Sequence, residues 1–282
     1  MIRIAVRKIK SRRSSPARAY TLVEMLIVIT IIGLLAAVGL PAIKGIGDSG
    51  RVASATRQLL DDFALARQKA MSMRSHVFII FIPPSIVQPP FSTTTLGTLQ
   101  PDERKAVTNL FAGQYTSYAL FARRNVGDQP GHDNPRYLTP WRVLPDGLFI
   151  EPTKYAYVQE ATRAGQTYTD LNRPFAFRQF PFPFANSLDF PVQGLPYLEF
   201  NSKGQLVSEP RYGLAGEIVG YQDAVVALTR GSIFYPADAN GNPVPGNPDV
   251  IQTPPGNSTN NYNRVRIDWL TGRASLEQPK VK

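Results

Sequence analysis

The chain has 282 residues, enough for one sizeable core or two small domains. Its formal charge of +10 is unevenly spread: seven of the 31 basic residues lie in the first 19 positions, which hold no acid, and from Tyr20 onward 24 basic residues face 21 acidic ones. The remaining +3 excludes a strong bulk attraction for nucleic acid. With no cysteine and two distant histidines, His76 and His132, thiol chemistry is absent and zinc chemistry or a histidine triad has no support.

The basic leader, Met1 to Ala19, is followed by Met25 to Leu40, 16 residues without a charge, and Tyr20 to Ile43 makes 24 residues interrupted only by Glu24 and Pro41. At 1.5 Å per residue, 24 helical residues reach about 36 Å, against about 30 Å of bilayer hydrocarbon. One spanning helix over 20–43 is expected, with the basic residues holding the leader in the cytoplasm and everything after Ile43 exported. A secretory signal cut at Ala37 or Gly39 is the rival. Glu24 entering the run early, the continuation to Ile43 and the helical pattern beyond it count against that rival.

The string from Ala19 to Ile29, AYTLVEMLIVI, resembles the processing site of type IV prepilins and type II secretion pseudopilins. That family has a small residue before the cut, an aromatic after it, then Thr-Leu, an aliphatic residue and a glutamate. Ala19 stands where the family usually has glycine and Tyr20 where it usually has phenylalanine, so the small-then-aromatic pattern is kept. The resemblance implies cleavage between Ala19 and Tyr20 by a prepilin peptidase that also N-methylates Tyr20. Gly33 and Pro41 fall where family members often carry a helix-loosening glycine and proline, and both join Glu24 as assembly residues.

A carboxylate deep in a bilayer costs about 2.5–3.5 kcal/mol on insertion scales. Glu24 either sits near enough to the interface to stay hydrated or, as the resemblance implies, meets the freed amine of Tyr20 on a neighbouring subunit and fixes axial register. Pro41, with Gly39, Gly45 and Gly47 around it, predicts a kink or a short melted stretch.

Residues 44–75 continue the helix in amphipathic form. Val52, Ala55, Leu59, Phe63, Ala66, Ala70 and Met73 follow one another in steps of three and four and trace one helical face. Asp48 or Ser49 is the expected cap, with Asp61, Asp62, Arg67 and Lys69 on wetter faces.

Beyond residue 82 lie 23 of the 25 prolines, which excludes long helices and predicts a head, 76–282, of strands and loops. Val77–Ile82 and Gln114–Ala122 read as strands. Hairpins are expected around Pro145-Asp146-Gly147, Asn201 to Gly204, Arg230-Gly231 and Thr271-Gly272, giving a mainly antiparallel sheet. The fold class is α+β, a long N-terminal helix packed on that sheet. This order is similar to H-type minor pseudopilins and related minor pilins, where phrases resembling Leu198 to Gly204 and Val265 to Arg273 lie on head strands.

Two loops invite sharper readings. Residues 236–263 hold six prolines and seven asparagines; Asp238, Asn240, Asn242 and Asp249 suggest a calcium loop, but Pro243 stands where the turn needs glycine and no glutamate closes it. Phe175 to Phe190 carries six phenylalanines, which either pack on the sheet or form a partner patch.

The expectation is a pilin-like structural subunit with no catalysis and no cofactor, anchored in the cytoplasmic membrane with its head outside, whose partners are other subunits and the peptidase. Arg264, Arg266, Arg273, Lys280 and Lys282 offer a DNA-binding alternative, against which Asp268 and Glu277 interleave. A signal-anchored enzyme finds no motif that pairs its carboxylates.

Overall fold

The computed structural model describes residues 21–84, 93–129, 134–156, 174–187, 194–208, 210–212, 218–244, 246–260 and 263–278; within 38–49, 93–95, 210–212, 218–219 and at 260 it describes the backbone alone. The leader, Ala19, Tyr20, His132, Phe190, Lys280 and Lys282 lie outside the described residues. The chain divides into two units, Met1–Asp48 and Ser49–Lys282.

Helix α1 spans Leu22–Met73 and serves both units. Pro41 lies within it, and residues 38–50 are helical, so the expected melted stretch is not formed. A proline removes one backbone donor and disturbs one turn, and the helical residues on both sides carry α1 past it. For the same reason neither Asp48 nor Ser49 is a cap, because the helix does not begin there.

The amphipathic face behaves as its spacing predicts. Ala55, Leu59, Phe63, Ala66 and Ala70 are fully buried, and Val52 and Met73 pack partly buried at its ends. Asp62 corrects the expectation: it is 1 % exposed, accepting a 2.6 Å bond from the Tyr118 hydroxyl and pairing with Arg142. Gln58 donates to the same hydroxyl at 3.0 Å. Burial, then the bond to Asp62, raises the pKa of Tyr118. Arg142 is about a third exposed, which moderates the loss when the pair is broken. Asp62→Ala is expected to cost about 2–3 kcal/mol, and Tyr118→Phe about 1 kcal/mol, by urea unfolding. The double variant should cost less than the sum, since both remove one bond.

Strand β1, Val77–Phe81, is central in a six-stranded antiparallel sheet, flanked by β2, Ser117–Ala122, and β7, Leu195–Phe200. The outer members are β3, Arg136–Tyr137, and β4, Arg142–Val143, on β2, and β6, Ala176–Arg178, on β7. Its Val77, Ile79 and Phe81 join the α1 core, while Phe78 and Ile80 face a second cluster with Val107, Leu110, Phe111, Phe180 and Phe182. Burial on both faces is why this strand reads as an unbroken apolar run.

Helices in the head depart from the expectation of strands and loops alone. A short α2, Thr93–Thr98, precedes α3, Pro101–Phe111, which covers the second face of the sheet. Pro101 occupies the first helical turn, where a missing N–H costs nothing, and Glu103 accepts from the Gln100 amide at 3.3 Å. Strand β2 starts three residues later than expected, because 112–116 form turns with Tyr115 at φ +64°.

The second sheet orders β11, β10, β12 and β13, with β5, Leu148–Ile150, also on β10. The others are β10, Ala224–Phe234, β11, Asp249–Gln252, β12, Asn263–Ile267, and β13, Ala274–Glu277. A separate pair comprises β8, Pro210–Tyr212, and β9, Ile218–Tyr221. Two expected hairpins are not formed. The turn at Asp146-Gly147 hands the chain from one sheet to the other: β4 pairs with β2, whereas β5 pairs with β10. At Arg230-Gly231 the chain runs straight through as one strand, with Gly231 at φ +155° and no room for a Cβ, which would lie 1.9 Å from the Ile251 carbonyl oxygen. That glycine marks close approach of a neighbouring strand, the second meaning of glycine within a strand.

The hairpin between β12 and β13 is formed as expected. In its turn, Asp268 accepts from the side chain and the amide of Thr271, both at 2.7 Å, and these bonds hold its carboxyl below the ordinary value. A lowered folded value stabilises above the unfolded value of about 3.9 and is lost as pH falls through the folded one. Protection of the Thr271 amide against hydrogen exchange is therefore expected to fall below about pH 4 in the wild type, and to be low and independent of pH in Asp268→Ala.

Candidate functional site

In the first unit, α1 opens with Thr21 as its cap. The Thr21 hydroxyl accepts from the Glu24 amide at 3.2 Å, and its carbonyl accepts from the Met25 amide at 3.2 Å. Threonine followed three residues later by glutamate is a helix-start signature, a role for Thr21 that the sequence reading passed over. Glu24 thus sits in the first turn, at the positive end of the helix dipole.

Eleven large apolar side chains between Leu22 and Leu35 are exposed, from 42 % at Val28 to 82 % at Leu22. They fill every position from Leu22 to Leu35 except Glu24, Thr30 and Gly33 and so cover every face of the helix, unlike the single stripe of the second unit. A helix apolar all round belongs in lipid or inside an assembly. Complete burial of a large side chain is worth about 1.5–3 kcal/mol, so eleven half-exposed ones offer on the order of 10 kcal/mol. That exceeds the roughly 3 kcal/mol for inserting one carboxylate, so the single acid does not outweigh the apolar surface. Gly33 adds a notch, with nothing within 4 Å of where its Cβ would be.

Among the described residues, no helix is long and apolar enough to cross a membrane. The described apolar side chains end at Ala37, and the expected span over 20–43 lies partly outside the described residues. Of the predicted site residues, Glu24 and Gly33 share the exposed stretch, Pro41 is placed by its backbone only, and Ala19 and Tyr20 fall outside.

The other expected sites resolve differently. Arg264 is buried, and Arg266 lies 3.2 Å from Asp223 and 3.3 Å from Glu277. Arg264 is thus enclosed and the charge of Arg266 is balanced by two carboxylates, which weakens the basic cluster as a phosphate contact. Phe175, Phe180 and Phe182 are buried, Phe177 partly so, and only Phe184 is exposed among the described phenylalanines of that loop. Packing accounts for them. Asp238 is engaged by the amides of Asn240 and Asn242, each at 2.9 Å, in a closed local turn. His76 pairs with Glu199 at 2.5 Å, a contact no local motif announced.

Residues 14–40 match the prokaryotic N-terminal methylation motif. The motif is that of type IV pilin-like and pseudopilin-like proteins, which in general are processed by prepilin peptidase and assemble with other pilins. No curated protein and no solved structure matches the chain.

Proposed function

We propose that the protein is a minor pilin or pseudopilin, most similar to the H-type, and acts as an assembly subunit without catalysis of its own. The observation that supports this best is the helix of eleven exposed apolar side chains with one acid in its first turn, coinciding with the methylation motif. The chain enters the cytoplasmic membrane through residues 20–43, with its head outside, and is trimmed between Ala19 and Tyr20. N-methylated Tyr20 then begins the mature chain. Neighbouring N-terminal helices bury one another's apolar surface as the subunit joins a short filament. Glu24 meets the amine of an adjacent subunit and sets the register.

Membranes carrying the protein provide the test. The chain should resist alkaline carbonate extraction, and protease added outside spheroplasts should reach the head. Release by carbonate, or a head protected until the spheroplasts are lysed, would overturn the reading.

A further inference from the structure

The two phrases singled out in the sequence, Leu198 to Gly204 and Val265 to Arg273, converge in the second unit. Gly272, at φ +63°, presses against the other turn: a Cβ there would lie 2.0 Å from the Gly204 carbonyl oxygen. The Leu206 amide donates to the Trp269 carbonyl at 3.1 Å, and Arg67 of α1 donates to the Thr271 carbonyl at 2.7 Å. Asn201 accepts from the amides of Lys203 and Gln205 at 2.9 and 3.0 Å. Both turns are thereby held in place on the helix.

Their side chains are not all spent on this packing. Val207, Tyr221 and Leu270 are 47 %, 43 % and 52 % exposed. The Tyr221 ring lies 4.9 Å from that of Trp269, tilted by 32°. Ser208 donates to the Gln222 carbonyl and accepts from its amide, which holds the Val207 segment beside Tyr221. The exposed charges on the two turns, Lys203 and Arg273, are positive. Of the nearby acids, Asp223 is paired with Arg266 and accepts from the Trp269 amide. Asp268 keeps its charge on the Arg273 turn but is turned inward onto the Thr271 hydroxyl and amide, which leaves the border with an excess of one positive charge.

A single exposed apolar residue needs no explanation, but a cluster on a fixed backbone beside two cations marks an interaction surface. Lipid recognition of this kind gathers roughly four to eight basic residues, more than the two turns present. An aromatic pair with a charged border suits a protein anchor. We propose that Val207, Tyr221, Trp269 and Leu270 form a docking patch for an acidic, aromatic-bearing segment of a partner protein. Its ring rests on the Tyr221–Trp269 pair and its carboxylates face Lys203 and Arg273.

The full chain in zwitterionic detergent micelles, carrying Trp141→Phe so that Trp269 is the one remaining tryptophan, is titrated with a short peptide of glutamate and phenylalanine. Its glutamine–phenylalanine counterpart serves as the comparison. Trp269 emission should change saturably with the acidic peptide, and binding should weaken about tenfold when Lys203 and Arg273 are both serine. Leu270→Ser, at an exposed position, should abolish binding with unfolding unchanged. Equal binding of the two peptides, binding retained in Leu270→Ser, no response to the acidic peptide, or a response only to phosphatidylglycerol doped into the micelles would each overturn the proposal.

Discussion

Glu24→Ala is expected to lower incorporation into filaments by about tenfold or more, while leaving membrane insertion intact or slightly improved. The two effects separate because they draw on different physics. On the proposed reading, insertion follows the exposed apolar residues of α1, and removing a carboxylate only helps it. Assembly needs a reason to place one helix at a fixed height against the next. Apolar surfaces supply attraction with no preferred axial position, whereas an acid seeking an amine supplies a preferred one. Glu24→Gln keeps the shape and loses the charge, so it should resemble alanine in assembly. Fractionating sheared filaments from membranes and comparing the protein in each is the measurement. Equal incorporation of wild type and Glu24→Ala would remove the electrostatic pairing from the account.

Phe63→Ala carries the largest expected effect on the head, about 3–5 kcal/mol. Phe63 is fully buried on the stripe of α1, in one cluster with Val77, Ile79 and Phe81 of the first sheet and Val226, Val265 and Ile267 of the second. Truncation leaves a void where three layers meet, and backbones already bonded into sheets are poorly placed to close it. The urea midpoint should drop with the slope unchanged. A loss below about 1 kcal/mol would mean that the two sheets do not close on this helix as described.

Periodicity made the amphipathic part of α1 legible, and the steps of three and four between Val52 and Met73 named its buried face correctly. Asp62 was misplaced because a side chain beside the stripe is buried or wet according to what lies opposite it, and Tyr118 and Arg142 come from 56 and 80 residues away. The run Val77–Ile82 was recognisable as a strand, yet nothing local shows that α3 covers its second face. Helix α3 itself escaped notice among the prolines, although Pro101 followed by Asp102 and Glu103 is a helix start. Gly231 read as a turn and serves instead as a point of close approach, since glycine satisfies both needs and the sequence does not say which applies. Glu24 and Gly33 were singled out through the resemblance, and the structure places both on the exposed apolar stretch of α1 without bearing on their role in assembly. The docking patch was not legible, as it forms only when two turns and the β9 end meet.

Assembly through a freed amine requires a mature chain that begins at Tyr20. Intact mass and N-terminal sequencing of the protein purified from its native membrane test this directly. The result expected is a chain starting at N-methylated Tyr20 with Glu24 at its fifth position; a chain still carrying Met1, or one starting near Leu40, would contradict it.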